Sequence, residues 1–151
     1  MKNLMMMLLA SMAMVFMSCD SDDGDDVKPQ EVPEEVKTTF NNEFPKAAKV
    51  EWEALASIYE VEFEIDAVDY EAQLSSDGIL IRYKYEITVN QLPEQVGRAI
   101  NESYPDKIID DLDVLVQGGA NYYMVDFENS TPDHFVFDEA GKETDSVEYW
   151  D

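Results

Sequence analysis

The sequence predicts an α+β fold in which two tandem repeats, each of one helix and four strands, form one antiparallel sheet with the helices on one face. Two observations lead to this prediction. A 14-residue segment that begins at Val32 recurs sixty positions later, at Leu92, and such a recurrence indicates an internal duplication. After each copy, apolar and polar residues alternate in runs, as expected of half-buried antiparallel strands.

Residues 1–18 have the three regions of a secretory signal. Lys2 supplies a positive charge, residues 4–17 are apolar, and Ser18 precedes Cys19. The apolar run is too short for a lasting membrane span. The segment resembles a bacterial lipoprotein signal, which implies that Cys19 is lipidated and anchors the chain to a membrane through its lipid. The alternative is an ordinary secretory signal that happens to contain a cysteine.

Residues 19–31 are predicted to form a solvated acidic tether. The stretch "DSDDGDD" offers no apolar side chain to bury, so it is not expected to join a fold. It resembles the acidic stretch that marks Bacteroidetes lipoproteins for the outer face of the outer membrane. The resemblance implies an outer-membrane lipoprotein at the cell surface, or otherwise at the periplasmic face. The spacing does not fit a calcium loop, and no metal site is predicted.

The charge of the chain limits its partners. It contains 34 acidic and 10 basic residues, a net charge of −24. Without residues 1–18, which include one lysine and no acidic residue, the net charge is about −25. Nucleic acids bind through lysine and arginine side chains, so they are excluded as partners. Cationic or neutral partners remain, and high net charge also favours solubility.

The duplicated segments each predict one amphipathic helix. They read "VPEEVKTTFNNEFP" at residues 32–45 and "LPEQVGRAINESYP" at residues 92–105. A proline at the first helical position starts each helix, and Pro45 or Pro105 ends it. Apolar residues four apart give each helix one face for burial: Val36, Phe40 and Phe44 in the first copy, and Val96, Ile100 and Tyr104 in the second.

Alternating segments after each helix predict the strands. Asp77-Gly78 predicts a hairpin turn, and Ala140-Gly141 is its weaker counterpart. Residues 108–118 and the tail after Gly141 fit a strand only in part. A unit of about 60 residues is marginal alone, so the repeats, about 32–87 and 92–151, are predicted to fold as one domain, residues 32–151. The clearest strand segments are residues 50–54, 59–66, 68–74, 79–87, 122–128 and 134–138.

These patterns together resemble the PepSY-like, beta-lactamase-inhibitor-like family of exported Bacteroidetes lipoproteins. The resemblance depends on the two proline-bounded helices, the strand "KVEW", the Y-x-V-x-F strand and the turn "FDEAG", and it covers residues 32–151. It implies two helix-plus-sheet repeats with one continuous antiparallel sheet. The inhibitor after which the family is named covers its target with the open sheet surface and its loops, which implies a binding role.

No catalytic or cofactor motif is present in the sequence. His134 is the single histidine, and no Gly-x-Ser-x-Gly or His-x-x-x-His spacing occurs. Phosphate-loop and dinucleotide fingerprints are also missing. We therefore expect no enzyme activity, no catalytic residues and no cofactor. Ser146, in "DSV", matches a short O-glycosylation motif, and its modification is left open.

The outward side chains of the two repeats differ, and this difference predicts a binding surface for an unknown protein partner. In the first repeat they are acidic, and in the second they are apolar or aromatic, a combination that suits recognition with charged steering. The chain is then a non-catalytic module, an inhibitor or an accessory protein. Alternatives are a divalent or cationic ligand on the acidic face, and a tail with Tyr149 and Trp150 that covers the apolar group. The predicted surface residues are Glu60, Glu62, Glu64, Tyr122, Met124, His134 and Val136.

Overall fold

The computed structural model describes residues 25–129, 131–132 and 134–150. The signal segment, Cys19 and the first part of the acidic tether lie outside the described residues. Neither helix in these ranges has the length and apolar character needed to cross a membrane. The helices are α1 (Glu34–Glu43) and α2 (Glu94–Ser103), and the strands are β1 (Asp25–Asp26), β2 (Ala48–Leu55), β3 (Ile58–Ile65), β4 (Val68–Ser75), β5 (Leu80–Glu86), β6 (Ile109–Gln117), β7 (Ala120–Phe127) and β8 (His134–Asp138).

All these strands belong to one antiparallel sheet in which the spatial order is the chain order, β1 to β8. Strand β1 has two residues and pairs with β2, and the adjacent Val27 packs against the hydrophobic core. The prediction that residues 19–31 stay outside the fold was therefore wrong for residues 25–27, and seven longer strands carry the sheet. Tight turns join most neighbours, as antiparallel pairing allows. In the β6–β7 turn Gly118 and Gly119 have φ of 61° and 80°, which suits a two-residue hairpin. The predicted single antiparallel sheet is confirmed.

The second repeat has three strands among its described residues, and the prediction of four was wrong. Strands β2 to β5 follow α1, whereas β6 to β8 follow α2. After β8 an isolated bridge joins Phe137 to Glu143, and the chain then leaves the sheet. Val147 and Trp150 are buried instead. Burial of these two apolar side chains, rather than strand pairing, therefore determines the path of the tail.

Both helices begin one residue later than predicted. Pro33 and Pro93 are N-cap residues with φ of −54° and −56°, so the proline ring sets the entry of the chain without losing a helical hydrogen bond. At the other end, the backbone amides of Phe44 and Tyr104 each donate to the carbonyl four residues earlier at 2.8 Å. The duplicated sequence thus gives two helices of equal length, 10 residues each.

Each helix packs its apolar face on the strands of its own repeat. In α1, the ring of Phe40 lies 5.0 Å from the ring of Phe63, and in α2 Tyr104, just past the helix, lies 5.0 Å from Phe127. The first core cluster consists of Val32, Val36, Phe40, Phe44, Trp52, Val61, Phe63, Ala72 and Leu74. The second core cluster consists of Ile87, Val96, Ile100, Leu112, Val114, Tyr123, Val125, Phe127 and Phe137.

One glycine turn of each repeat lies against the first turn of the helix. Gly78, between β4 and β5, has φ +76°, and a Cβ there would lie 2.8 Å from the carbonyl oxygen of Glu35. Gly141, after β8, has φ +79°, and its Cβ would lie 2.6 Å from the carbonyl oxygen of Gln95. Both positions combine a left-handed backbone with close approach, so both require glycine. The turn that looked weaker in sequence has the same structural role.

Candidate functional site

The strand side chains that alternate with the core residues form a second surface, which we call the outer face. In β3, Glu60, Glu62 and Glu64 alternate with the buried Val61 and Phe63, as the predicted parity requires. Glu62 is exposed, whereas Glu60 and Glu64 are half-buried. The acidic half of the outer face, on β2 to β4, consists of Glu51, Glu53, Glu60, Glu62, Glu64, Asp69 and Glu71.

The outer face continues from the first repeat into the second. Lys84 of β5 lies directly opposite Leu115 of β6, which in turn lies opposite Tyr122 of β7. Directly opposite residues project to the same side of a sheet. The apolar half of the outer face consists of Leu115, Tyr122, Met124 and Val136.

Carboxylates stand in direct cross-strand register in the acidic half. Glu51 lies opposite Glu62, and Glu62 lies opposite Glu71. Like charges in this arrangement destabilise a sheet. Two shallow depressions meet at Glu71, one lined by the carboxylates of the first repeat and the other extending to Asp113. The acidic half is thus a continuous negative surface rather than a set of isolated side chains.

Hydrogen bonds and an ion pair hold some of these carboxylates in place. Glu60 accepts a hydrogen bond from Gln73 Nε2 at 2.6 Å, and Glu64 forms an ion pair with Lys49. Lys49 has a positive φ of 53° at the irregularity in β2, a conformation that is uncommon for a residue with a side chain. Of the three predicted glutamates, Glu62 presents the most exposed carboxylate.

Two carboxyl groups on this surface have strongly raised pKa values. Burial raises the pKa of Glu71 to about 7, with smaller contributions from Glu60 and Glu62, although Lys84 lies 3.2 Å away and opposes the shift. Burial and the neighbouring Asp111 raise the pKa of Asp113 to about 6. Buried carboxylates near like charges resist ionisation. Near neutral pH these two carboxyl groups therefore hold their protons more readily than exposed carboxylates do.

The apolar half is covered by the tail. Met124 is 1% exposed and Val136 is 6% exposed, and both pack with Leu115, Val147 and Trp150 in a third cluster. The prediction that Met124 and Val136 form an open binding surface was therefore wrong. Their side chains do leave the core side as parity indicated, but burial of Val147 and Trp150 brings the tail over them. This was the alternative that the sequence had left open.

The other two predicted residues of the second repeat lie at the margin of this cluster. Tyr122 is half-buried and packs against it. His134 is exposed, and its ring stacks on the ring of Tyr149 with centroids 4.5 Å apart. The structure therefore brings the glutamates together on one surface but places the second group mostly beneath the tail.

Trp150 of the tail contacts two cations of β5, and this contact was not predicted from the sequence. The ring of Trp150 lies 4.5 Å from Arg82 Cζ and 5.2 Å from Lys84 Nζ, distances suited to cation–π attraction. Lys84 Nζ also donates to the carbonyl oxygen of Trp150 at 3.2 Å. The sequence did contain a signal for the position of the two cations, although not for their contact with Trp150, because Arg82 and Lys84 alternate with the core-facing Tyr83 and Tyr85. Their parity places two cations on the outer face.

A metal centre is not evident among the residues that the structure describes, since no group of three or more His, Cys, Asp or Glu side chains is arranged to hold an ion there. The carboxylates of the acidic half are spread along three strands.

Known proteins match this chain at the level of family and fold. Its sequence matches the model of the family described as "Putative beta-lactamase-inhibitor-like, PepSY-like" twice, over residues 21–82 and 68–143. The double match agrees with a tandem repeat. No curated protein matches the sequence significantly.

Three solved structures from Bacteroides share the fold. A BLIP-like protein from Bacteroides fragilis is 19% identical, with a TM-score of 0.66 over 78% of this chain and 92% of that one. A protein from Bacteroides eggerthii described as putatively periplasmic is 15% identical, with a TM-score of 0.68 over 74% and 85%. A DUF2874 family protein from Bacteroides ovatus is 16% identical, with a TM-score of 0.66 over 74% and 83%. At these identities the likeness concerns the fold, and the sequence match over most of the chain shows that the protein belongs to the PepSY-like, beta-lactamase-inhibitor-like family.

Proposed function

We propose that this chain is an exported, non-catalytic binding module that recognises a protein partner through the outer face of its sheet. The observation that carries the proposal is the row of Glu51, Glu62 and Glu71, three carboxylates in direct register across β2, β3 and β4. Such a row costs the fold stability, whereas a cationic surface on a partner would be attracted to it. An acidic surface of this kind speeds association and selects partners by charge.

We infer further that both helices lie on the opposite side of the sheet and leave the outer face to the partner. The cross-strand register supports this inference. Ala72 of the first core cluster lies opposite Tyr83, and Tyr83 lies opposite Val116, which packs against the second core cluster. With the helices on that side, no described element covers the acidic half, and Glu62 presents an exposed carboxylate there, beside the half-buried Glu60 and Glu64.

An inhibitor-like or accessory role fits the family description, and no step of the proposal requires catalysis. The location we propose is the cell surface or periplasm, with Cys19 as the lipid-bearing anchor of an outer-membrane lipoprotein. The signal-like residues 1–18 support export. The description of the Bacteroides eggerthii protein as putatively periplasmic agrees with this location.

A charge-matched pair of variants tests the proposal. The face variant changes Glu60, Glu62 and Glu64 to Gln, and the control changes Glu43, Glu102 and Glu128, which are exposed and lie away from the acidic half. Both lose three negative charges. With a protein captured from outer-membrane extract, we expect association with the face variant to slow by about tenfold or more and to lose salt dependence, while the control behaves as wild type. Equal rates for the two variants would contradict the proposal.

A second candidate function is the binding of a divalent or other cationic ligand on the acidic half. The cross-strand row of Glu51, Glu62 and Glu71 favours it, because a bound cation would offset the repulsion between neighbouring like charges. Selective binding to the native state raises the melting temperature. Millimolar calcium should then stabilise the chain more than sodium chloride at the same ionic strength. An equal effect of the two salts would indicate screening alone.

A further inference from the structure

Residues 143–150 cross the outer face without becoming a strand. The turn after β8 is well bonded, since Asp138 N donates to the carbonyl oxygen of Lys142 and Gly141 N to that of Asp138, each at 2.9 Å. Thr144 N then donates to the carbonyl oxygen of Val136 at 2.9 Å. Beyond Thr144, no backbone-to-backbone hydrogen bond is found among the described residues of this segment. We call residues 143–150 the strap.

Side chains, rather than a backbone ladder, hold the strap on the sheet. Val147 and Trp150 pack on the apolar half, and the ring of Trp150 lies over Arg82 and Lys84. At the β8 end, the ring of Tyr149 stacks on His134. Tyr104 Oη also donates to a carboxylate oxygen of Glu143 at 2.7 Å, and Arg82 Nη1 lies 3.5 Å from the carbonyl oxygen of Glu148. A segment that is not joined to a sheet by a backbone ladder opens at a lower free energy than the global unfolding of the domain. The strap therefore has the construction of an element that opens while the sheet stays folded.

The cations that hold the strap also contact the acidic half. Lys84 Nζ lies 3.2 Å from a carboxylate oxygen of Glu71 and 3.2 Å from the carbonyl oxygen of Trp150. Arg82 Nε donates to Gln73 Oε1 at 2.8 Å, and Gln73 donates to Glu60. A protein that binds Glu60 or Glu71 thus changes the hydrogen bonds of Lys84 and Arg82, and these two residues also hold the strap. The two halves of the outer face are physically coupled.

We propose that the strap is displaceable and occupies a docking site for the partner. Its opening uncovers Leu115, Met124 and Val136 beside the acidic half, and an aromatic or aliphatic side chain of a protein partner takes the place of Trp150 and Val147. Buried aromatic anchors of this kind carry most of the energy of protein interfaces. The partner step rests on the proposed function, whereas the opening of the strap does not.

Met124 is a natural probe for the opening. Seven of the eight methionines lie within residues 1–17, and Met124 is the remaining one. It is 1% exposed beneath the strap, so peroxide oxidises its thioether when the strap opens or when the whole domain unfolds. The rate of Met124 oxidation is measured by peptide mass spectrometry in increasing urea, below the unfolding midpoint.

Urea distinguishes opening of the strap from unfolding of the whole domain. Its effect on the rate of exposure grows with the surface area that the reaction exposes. We expect an oxidation rate that changes little with urea, since a short strap exposes little surface. Trp150→Ala should raise the rate by about tenfold or more, and Trp150→Phe by less, because Phe keeps an aromatic anchor. A rate that follows urea as steeply as global unfolding, in wild type and in Trp150→Ala, would overturn the proposal.

An adjacent pair of cysteine variants supplies a matched control. Met124 and Val125 are neighbours in β7 with exposures of 1% and 0%, the first beneath the strap and the second in the second core cluster. With Cys19→Ser in both chains, the thiol of Met124→Cys should react with a maleimide at least about tenfold faster than that of Val125→Cys. Equal labelling would show that only unfolding of the sheet exposes Met124, against the proposal.

The docking claim has a separate probe, a synthetic peptide with the sequence of residues 142–150. Added to Trp150→Ala, the peptide should slow Met124 oxidation toward the wild-type rate, and the same peptide with its tryptophan changed to alanine should not. No protection by either peptide would overturn the docking claim while leaving the opening result in place. Because this assay needs no cellular partner, its failure is distinguishable from a failure of the proposed function.

Discussion

The two repeats of this chain agree on the core side of the sheet and differ on the outer face. Val36 and Phe40 of α1 and Val96 and Ile100 of α2 are all buried. On the outer face, the first repeat presents a row of carboxylates that no described element crosses, whereas the second presents apolar side chains beneath the strap.

The difference shows which part of the duplication the fold constrains. Core positions must fill a closely packed volume, so a change of even one methylene is felt. Outer positions need only be compatible with a strand, and they are free to differ. The outer face is therefore where the two copies differ in chemistry, one charged and one apolar, and it is the surface to which we assign the proposed binding function.

The largest effect is expected from the core residues that the repeats share. Phe40→Ala should lower the free energy of unfolding by about 3–5 kcal/mol and Ile100→Ala by about 2–5 kcal/mol, through lost burial and the cavities left behind. Urea unfolding followed by circular dichroism measures both losses. Asn41→Ala, at an exposed helix position, serves as control, with a change of about 0.5 kcal/mol or less.

The same urea experiment shows whether the two repeats unfold together as one domain. The sheet runs without interruption from β1 to β8, so both variants should unfold in a single transition at a lower urea concentration. Two separate transitions, with each mutation moving only one of them, would contradict the single-domain description.

A smaller effect is expected from the paired glycine turns. Gly78→Ala and Gly141→Ala should each destabilise the chain by about 2–4 kcal/mol, because each combines a left-handed backbone with a clash against the first turn of a helix. Gly118→Ala is the matched control, since its φ is +61° but a Cβ there meets nothing within 4 Å, and about 1–2 kcal/mol is expected. Thermal unfolding distinguishes them, and a Gly141→Ala variant as stable as Gly118→Ala would break the equivalence of the two turns.

The smallest effect concerns pH and belongs to the acidic half alone. The pKa of Glu71 is about 7 in the fold against an ordinary value of 4.5, so between these values the folded state binds more protons than the unfolded state. Stability from this group is thus fully present below the ordinary value and is lost as pH rises toward 7. The pKa of Asp113, about 6 in place of 3.8, acts in the same direction.

Glu71→Gln should remove the contribution of Glu71 to the decrease of stability with rising pH. Urea midpoints from about pH 5 to pH 8 should fall less steeply in Glu71→Gln than in wild type. Glu128→Gln, an exposed carboxylate away from this surface, should leave the slope unchanged. If the urea midpoint of Glu71→Gln fell with pH as steeply as that of wild type, a group other than Glu71 would be responsible for the pH dependence.

Sequence reasoning predicted the elements that local patterns encode. The alternating strand of Glu60 to Glu64 and the turn at Gly78 lie where the residue pattern placed them, and so do both helices, apart from a start one residue later than predicted. It fell short where long-range packing decides, at β6, whose "IIDDLDVLVQGG" alternates imperfectly, and at the tail. The third cluster brings Trp150 beside Arg82, sixty-eight positions earlier in the chain, and no local pattern encodes that contact.

The sequence by itself thus determined the duplication, the strand parity and the side of the sheet to which each side chain projects, because these depend on periods of two and of about four residues. Only the tertiary structure decided which outward side chains remain available. Val147 and Trp150 carry apolar surface that water disfavours, and the nearest surface able to bury it is formed by Leu115, Met124 and Val136. Coverage of a face is a property of segments distant in sequence, so parity alone could place Met124 outside the core but not beneath the strap.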